Sequence, residues 1–175
     1  KAVDYFRTIA KDPITIISHY DTDGITAASI LSKAFQREDL KFHVKIIKQL
    51  ERELIEEFKN DEKIKTIFFL DLGSGGLEYI KEMKSNVFIL DHHELSYEDS
   101  LSDNIKLIKP HYFKEETEMS ASSVVYLFAK ELNIENKELA NLAILGMVGD
   151  MAERVLSRIN NNILKDSEVI VKRGL

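Results

Sequence analysis

The amino-acid sequence predicts an α/β domain: a mostly parallel β-sheet flanked by helices, followed by a helical segment. Three short runs carry this reading, Ile14-Thr15-Ile16-Ile17, Thr66-Ile67-Phe68-Phe69-Leu70 and Val87-Phe88-Ile89-Leu90. Rich in β-branched and aromatic residues and too short for helices, they read as buried strands. Helix-like segments with one apolar face separate them, and strand–helix–strand repetition of this kind implies right-handed crossovers between parallel neighbours. Each run also stops on polar chemistry: Ser18-His19-Tyr20-Asp21-Thr22-Asp23-Gly24 after the first, Asp71 after the second, Asp91-His92-His93 after the third. The carboxyl ends of the strands of an open parallel sheet lie side by side, and ligands bind along that edge.

In order along the chain, residues 2–11 read as a short helix broken by Asp12-Pro13. The first strand runs to His19, and a helix follows over 26–37, with Ile30, Leu31, Ala34 and Phe35 on one face. Residues 42–47 read as a strand with a polar outer face, and 51–59 as a helix with Leu54, Ile55 and Phe58 inward. After the strand ending at Asp71 come a helix over 77–83, the strand ending at Asp91, and a further strand over 105–108 stopped by Pro110. The second half is helical. Ser120 caps a run carrying Val124, Val125, Leu127 and Phe128. A second helix starts at Glu138, carries Leu139, Leu142, Ala143, Leu145 and Met147, and ends near Gly149-Asp150. A last helical segment is expected over 153–164, although Asn160-Asn161-Asn162 is a poor helix interior. Residues 97–104 and 111–119 read as linkers.

Composition narrows the function classes. With 44% hydrophobic residues in 175, the chain can build the core of one domain. No run of about 18 apolar residues is present, so no membrane span is expected. The absence of cysteine excludes disulfides and thiolate metal sites and fits a cytoplasmic address. A net charge of −6 argues against nucleic-acid binding unless the acids hold metal, since two divalent ions offset four of those charges. The lysines in 41–48, 106–109 and 172–173 read as solvated faces.

Residues two apart in an extended chain point the same way, so His19, Asp21 and Asp23 can project together from the first strand's end. Gly24 then permits a tight turn into a helix whose first N–H groups favour an anion such as phosphate. Alone, this motif reads equally well as an acidic turn, and Asp71 as an ordinary strand end. Asp91-His92-His93 is harder to dismiss, because adjacent imidazoles beside a carboxylate are costly to bury without metal or partners. Carboxylate oxygens mixed with imidazole nitrogens suit Mn2+, with Mg2+ or Co2+ as alternatives. Asp71, on the central strand, is the natural bridge between two such ions.

These residues resemble the DHH superfamily of phosphoesterases, named for the motif standing here as Asp91-His92-His93. The chain is most similar to the RecJ branch of single-strand exonucleases and its archaeal, GINS-associated relatives. Four family motifs can be matched: Ser18 to Ala28, Asp71-Leu72-Gly73-Ser74-Gly75, the DHH motif, and Gly146-Met147-Val148-Gly149-Asp150. In the first, the acids fall two and four residues after the histidine, as in the RecJ branch. The resemblance implies that His19, Asp21 and Asp71 hold one metal, and that Asp23, Asp71, His92 and Asp150 hold the other. His93 would contact the scissile phosphate, and Asp91 would orient the imidazoles. His93, Asp71 and Asp91 are thus the implied catalytic residues, and Gly24, Thr26, His93, Ser120, Ser122 and Ser123 the implied substrate contacts. By sequence alone Asp150 would pass as a bland helix-end residue. Ser123 and Lys109 depart from the family pattern, in which Gly and Asn are usual.

The resemblance implies a two-metal, Mn2+-dependent exonuclease that hydrolyses phosphodiester bonds of single-stranded DNA or RNA in replication or repair, with association to the GINS replicative complex. The alternatives are a phosphodiesterase for small molecules or short oligonucleotides, and a non-catalytic replication scaffold related to the eukaryotic helicase subunit. Residues 1–150 are expected to form the catalytic domain and 151–175 a helical linker. Nothing here matches the Gly-rich second domain of RecJ-like enzymes, which is expected to be absent from this chain.

Overall fold

The computed structural model describes residues 1–10, 13–95, 101–110, 119–152 and 158–167. Strands β1 (Ile14–His19), β2 (Phe42–Ile47), β3 (Thr66–Leu70), β4 (Asn86–Leu90) and β5 (Ile105–Ile108) form one sheet in the order β2-β1-β3-β4-β5, every pair parallel. The order reverses between β1 and β3, which opens a crevice at their carboxyl ends. The register sets Ser18 opposite Leu70 and Leu70 opposite Leu90, so the three motif-bearing strands end level with one another.

Helices α1 (Ala2–Ile9), α2 (Thr22–Arg37), α5 (Ala121–Leu132), α6 (Ala140–Gly149) and α7 (Arg158–Ser167) pack against one face, over Ile14, Ile16, Phe68, Leu70, Phe88 and Leu90. On the opposite face α3 (Arg52–Asn60) and the short α4 (Leu77–Ile80) cover Ile17, Ile67, Phe69, Val87 and Ile89. Alternate residues of β3 feed the two layers, and all five are buried, which makes β3 the centre of the molecule. Rings of Phe6, Phe35, Phe68, Phe88 and Phe128 interlock in the larger layer, with Phe68 and Phe88 stacked at 4.5 Å. Among the described residues no helix is long and apolar enough to cross a membrane.

Several boundaries differ from expectation. Helix α2 begins at Thr22 rather than residue 26, because Asp21 caps it by accepting the Gly24 N–H. The segment after Asp71 winds as a 3-10 turn over Ser74–Gly76 before α4, which stops at Ile80 rather than at 83. A 3-10 stretch, Ile134–Leu139, precedes α6, which starts at Ala140 rather than 138. The triple Asn160-Asn161-Asn162 does lie inside α7, where Asn160 is buried and its side-chain amide points at the Ala152 carbonyl, 3.4 Å away. The exposed side of β2 carries Val44 and Ile46 as well as polar residues, and Leu145 of α6 is exposed, not inward. Lys109 is only 4% exposed and belongs to no solvated face. The expected linker over 111–119 lies, up to residue 118, outside the described residues, as do 153–157 of the last helix, 168–175 beyond it, and 97–100 of the other linker.

Candidate metal centre

Each strand end delivers its side chains by a different local device. At the end of β1, Asp21 spends Oδ1 on the Gly24 N–H at 2.9 Å and leaves Oδ2 free to face His19 Nδ1, also at 2.9 Å. A Cβ on Gly24 would lie 2.4 Å from the His19 carbonyl oxygen, so only glycine lets α2 start this close to the strand. Asp23 therefore reaches the mouth from the first turn of a helix and not by strand alternation. Its carboxylate is fixed on the amino terminus of α5, accepting the N–H groups of Ala121 at 2.6 Å and Ser122 at 3.0 Å.

Asp71 follows β3 with φ of 58°, in the left-handed region that Asp tolerates better than most residues, and its N–H donates to the Leu90 carbonyl. Its carboxylate thus stands between the β1 and β4 ends. His19 Nδ1 lies 3.3 Å from Asp71 Oδ2, and His92 Nε2 lies 3.3 Å from Asp71 Oδ1 and 3.5 Å from Asp150 Oδ2. Asp150 comes in from the carboxyl end of α6, which approaches α2 through Gly146 and Gly149. A Cβ on Gly146 would fall 2.2 Å from Ser122 Oγ, 2.4 Å from Thr26 Oγ1 and 2.6 Å from Asp23 Oδ1.

Asp91 is fully buried and acts as a bracket: Oδ2 accepts the Ser74 N–H at 2.9 Å, while Oδ1 accepts the N–H groups of His92 and His93 and sits 2.7 Å from His93 Nδ1. It orients His92 through the backbone and His93 through the ring. Burial works against the Asp91 charge, yet the bonds from His93 and Ser74 hold its carboxyl well below the usual range. In return, the bond to Asp91 pushes the His93 imidazole up to about 9, against the effect of burial. His93 is therefore a cation at neutral pH, half exposed, with Nε2 left over.

The other acids behave as a crowd. Burial, with the charges of Asp23 and Asp21, pushes Asp71 up to about 6, and burial likewise raises Asp150. His19 Nδ1, both Asp71 oxygens and His92 Nε2 are buried and lie 3.3 Å from one another in pairs, yet none of these contacts has the geometry of a hydrogen bond. Buried polar atoms without well-formed hydrogen bonds are uncommon and call for an explanation. Here they are the atoms a divalent cation would take. The donor atoms gather into three sets in which one atom per residue lies within 4.8 Å of the others: His19, Asp21 and Asp71; Asp23, His92 and Asp150; and Asp71, Asp91, His92 and His93. Oxygen with imidazole nitrogen is a fitting donor set for Mn2+ or Mg2+.

The remaining sequence candidates stand behind this layer. Gly24, Thr26, Ser120, Ser122 and Ser123 are buried. The Thr26 hydroxyl donates to the Thr22 and Asp23 carbonyls, that of Ser122 to the Ala143 carbonyl, and Ser120 caps α5 through the Ser123 N–H. They back Asp23 rather than face the opening. Lys109, a departure from the family pattern in sequence and expected on a solvated face, instead lies at the site: its Nζ donates to the His93 carbonyl beside Asp91, with burial lowering its pKa. Its place at the end of a strand, just before Pro110, was the available signal.

Residues 13–147 match the DHH family, N-terminal domain. An uncharacterized protein of Methanocaldococcus jannaschii is 38% identical over 159 residues, covering 88% of this chain and 36% of that protein, so the chain spans about a third of the relative's length. Among solved structures, exonuclease RecJ bound to manganese gives a TM-score of 0.75 at 20% identity, over 95% of this chain and 46% of that one. RecJ in complex with Mn2+ from Thermus thermophilus gives 0.76 at 20% identity, over 95% of this chain and 26% of that one. CDC45 from Entamoeba histolytica gives 0.65 at 18% identity, over 95% of this chain and 36% of that one. At these identities the likeness to solved structures is one of fold.

Proposed function

The chain belongs to the DHH family, and we propose that it is a metal-dependent phosphodiesterase of the RecJ kind, acting as an exonuclease on single-stranded nucleic acid. The observation that carries this reading is the convergence of buried donor atoms from His19, Asp71 and His92, close together without hydrogen-bond geometry, at the switch point of the sheet. Metal ligation is the economical account of why a fold would keep them. His19, Asp21 and Asp71 would hold one divalent cation, and Asp23, Asp71, His92 and Asp150 the other, most suitably Mn2+. Such a pair supplies Lewis-acid stabilisation of a phosphoryl group and a nucleophile at neutral pH.

The chain's own residues do the rest. Asp91 keeps His93 protonated and locks its Nδ1, so that Nε2–H is presented to a phosphate oxygen, where it binds the anion and offsets charge developing in the transition state. The α5 amino terminus fixes the Asp23 carboxylate in place through the N–H groups of Ala121 and Ser122. Two solved structures of like fold are RecJ with bound manganese and a third is RecJ with Mg2+, which supports a divalent cation of this kind.

A second reading, hydrolysis of short oligonucleotides, is favoured by the net charge of −6, which offers a long polyanion little attraction outside the metal mouth. One assay separates them: purified protein with Mn2+ on end-labelled single strands of DNA and RNA from two to thirty nucleotides. Release of mononucleotides from all lengths supports the exonuclease, and turnover confined to the shortest strands supports the second reading. Failure to hydrolyse any strand, with full Mn2+ binding, overturns both.

A further inference from the structure

Among the described residues nine large apolar side chains are exposed; Val44, Ile46, Ile134 and Leu145 lie elsewhere, and the other five adjoin the metal centre in sequence. Tyr20, Ile25, Leu95, Val148 and Met151 are all exposed, and each stands within two positions of His93 or of a residue assigned above to metal. Tyr20 lies between His19 and Asp21, half exposed at 51%, its ring edge-on to the His19 ring at 4.9 Å. Met151 directly follows Asp150 and is 54% exposed, with a backbone φ of 55°, a conformation that costs a non-glycine residue energy. That turn returns Ala152 to the core and leaves the thioether outside. The amino end of α2 and the carboxyl end of α6 touch, since a Cβ on Gly149 would fall 2.6 Å from Thr22 Cβ. Tyr20 and Ile25 thus flank the start of α2, and Val148 and Met151 the end of α6, so the four exposed apolar residues belong to two element ends that meet beside the metal mouth, a shelf on its α2–α6 side.

A rim meant only for an inorganic polyphosphate would do better with lysine or arginine at these flanking positions. An aromatic ring with aliphatic and thioether neighbours suits a flat, uncharged π-surface. Resting on the phosphodiesterase reading of the same site, we infer that this shelf is a nucleobase subsite, with Tyr20 stacking the base of a nucleotide whose phosphate lies at the metal centre. Tyr20 thereby becomes a specificity residue that reads the base of the nucleotide at the metal centre. Stacking also supplies grip that an acidic surface cannot obtain from the phosphates.

The test compares a 5′-phosphorylated adenine dinucleotide with its abasic counterpart, carrying tetrahydrofuran in place of each base-bearing sugar. Kinetics are followed with Mn2+, and binding by calorimetry with Ca2+ in its place. Tyr20→Ala should lower the preference for the base-bearing substrate about tenfold, the order of one stacked base, through KM and Kd rather than kcat. Tyr20→Phe should keep the preference. The rise in melting temperature with Mn2+, measured on the same samples, must match wild type, which excludes damage to His19 and Asp21. An unaltered preference in Tyr20→Ala, or an equal loss on both substrates, overturns the subsite. Wild-type protein that takes neither dinucleotide overturns the phosphodiesterase reading instead, and the subsite with it.

Discussion

Asp71 belongs both to the set with His19 and Asp21 and to the set with His92 and His93, and its burial makes it the carboxylate under most strain in the metal-free protein. Two opposite effects of Asp71→Asn follow. Without metal, removing a buried charge from among Asp21, Asp23 and Asp150 should leave the protein as stable as wild type or more so, seen as an equal or higher melting temperature in EDTA. With Mn2+, the stabilisation that comes from binding only the native state should be lost together with hydrolysis. His93→Ala should behave differently, keeping the Mn2+ shift and losing turnover, because its ring is bracketed by Asp91 and not needed as a ligand. A lower EDTA melting temperature for Asp71→Asn, with the Mn2+ shift intact, would refute the shared-ligand role. Gly146 gives an independent approach to Asp23. A methyl there would press on Ser122, Thr26 and Asp23 at once, so Gly146→Ala should cost about 1–3 kcal/mol in chemical denaturation and weaken Mn2+ binding without replacing any ligand residue.

At the scale of elements, α7 is docked by an apolar face, with Ile163 in the core, and by the polar contacts of Asp166. Asp166 accepts from the Tyr126 hydroxyl at 2.8 Å and from Lys130, with Lys137 at 3.7 Å. Partial burial opposes its charge, but these donors win and its carboxyl titrates below the ordinary value. A depressed folded pKa stabilises above the unfolded value near 4 and is lost as pH falls through the folded one. Asp166→Asn should therefore cost about 1 kcal/mol at pH 7, with wild type and variant converging below about pH 4 in urea melts. A gap that stays constant down to pH 3 would mean that α7 is held by its apolar face alone. The strands were legible because β-branched and aromatic runs have no other good use, and their polar ends marked the mouth. Helix starts are less so: α2 begins four residues before the expected position 26, because the Asp21 cap on the Gly24 N–H is a local contact that apolar periodicity does not reveal. Asp150 carries no local signal, since what makes it functional is the approach of α6 to α2 through two glycines, a tertiary fact. The buried serines of α5 look polar in sequence, and only the fold shows their hydroxyls already engaged.

Across the whole molecule, charge sets the terms of metal and strand binding. Salt and Mn2+ both relieve repulsion among acids, but at different places. Raising salt from about 0.1 M to 1 M shortens the screening length from about 10 Å to 3 Å, which affects exposed charges far more than a cluster whose donors lie within 4.8 Å of one another and are partly out of water. Micromolar Mn2+ should therefore raise the melting temperature more than 1 M NaCl does. With a net charge of −6, of which two bound cations offset four, the domain presents no overall attraction to a long polyanion. Lys109, beside the site, is buried against the His93 carbonyl and is not offered to phosphate. Affinity for single strands should consequently level off after a few nucleotides. Each phosphate neutralised on a single strand contributes about 0.7 to the slope of log K against log salt. For this domain the slope should stay below about 2 for a thirty-nucleotide strand, corresponding to the one or two phosphates at the metal mouth. A slope of 4 or more in fluorescence anisotropy titrations would show that a lysine surface, such as Lys41, Lys45 and Lys48 beside β2, already tracks the strand, and the balance of charge would not then govern binding.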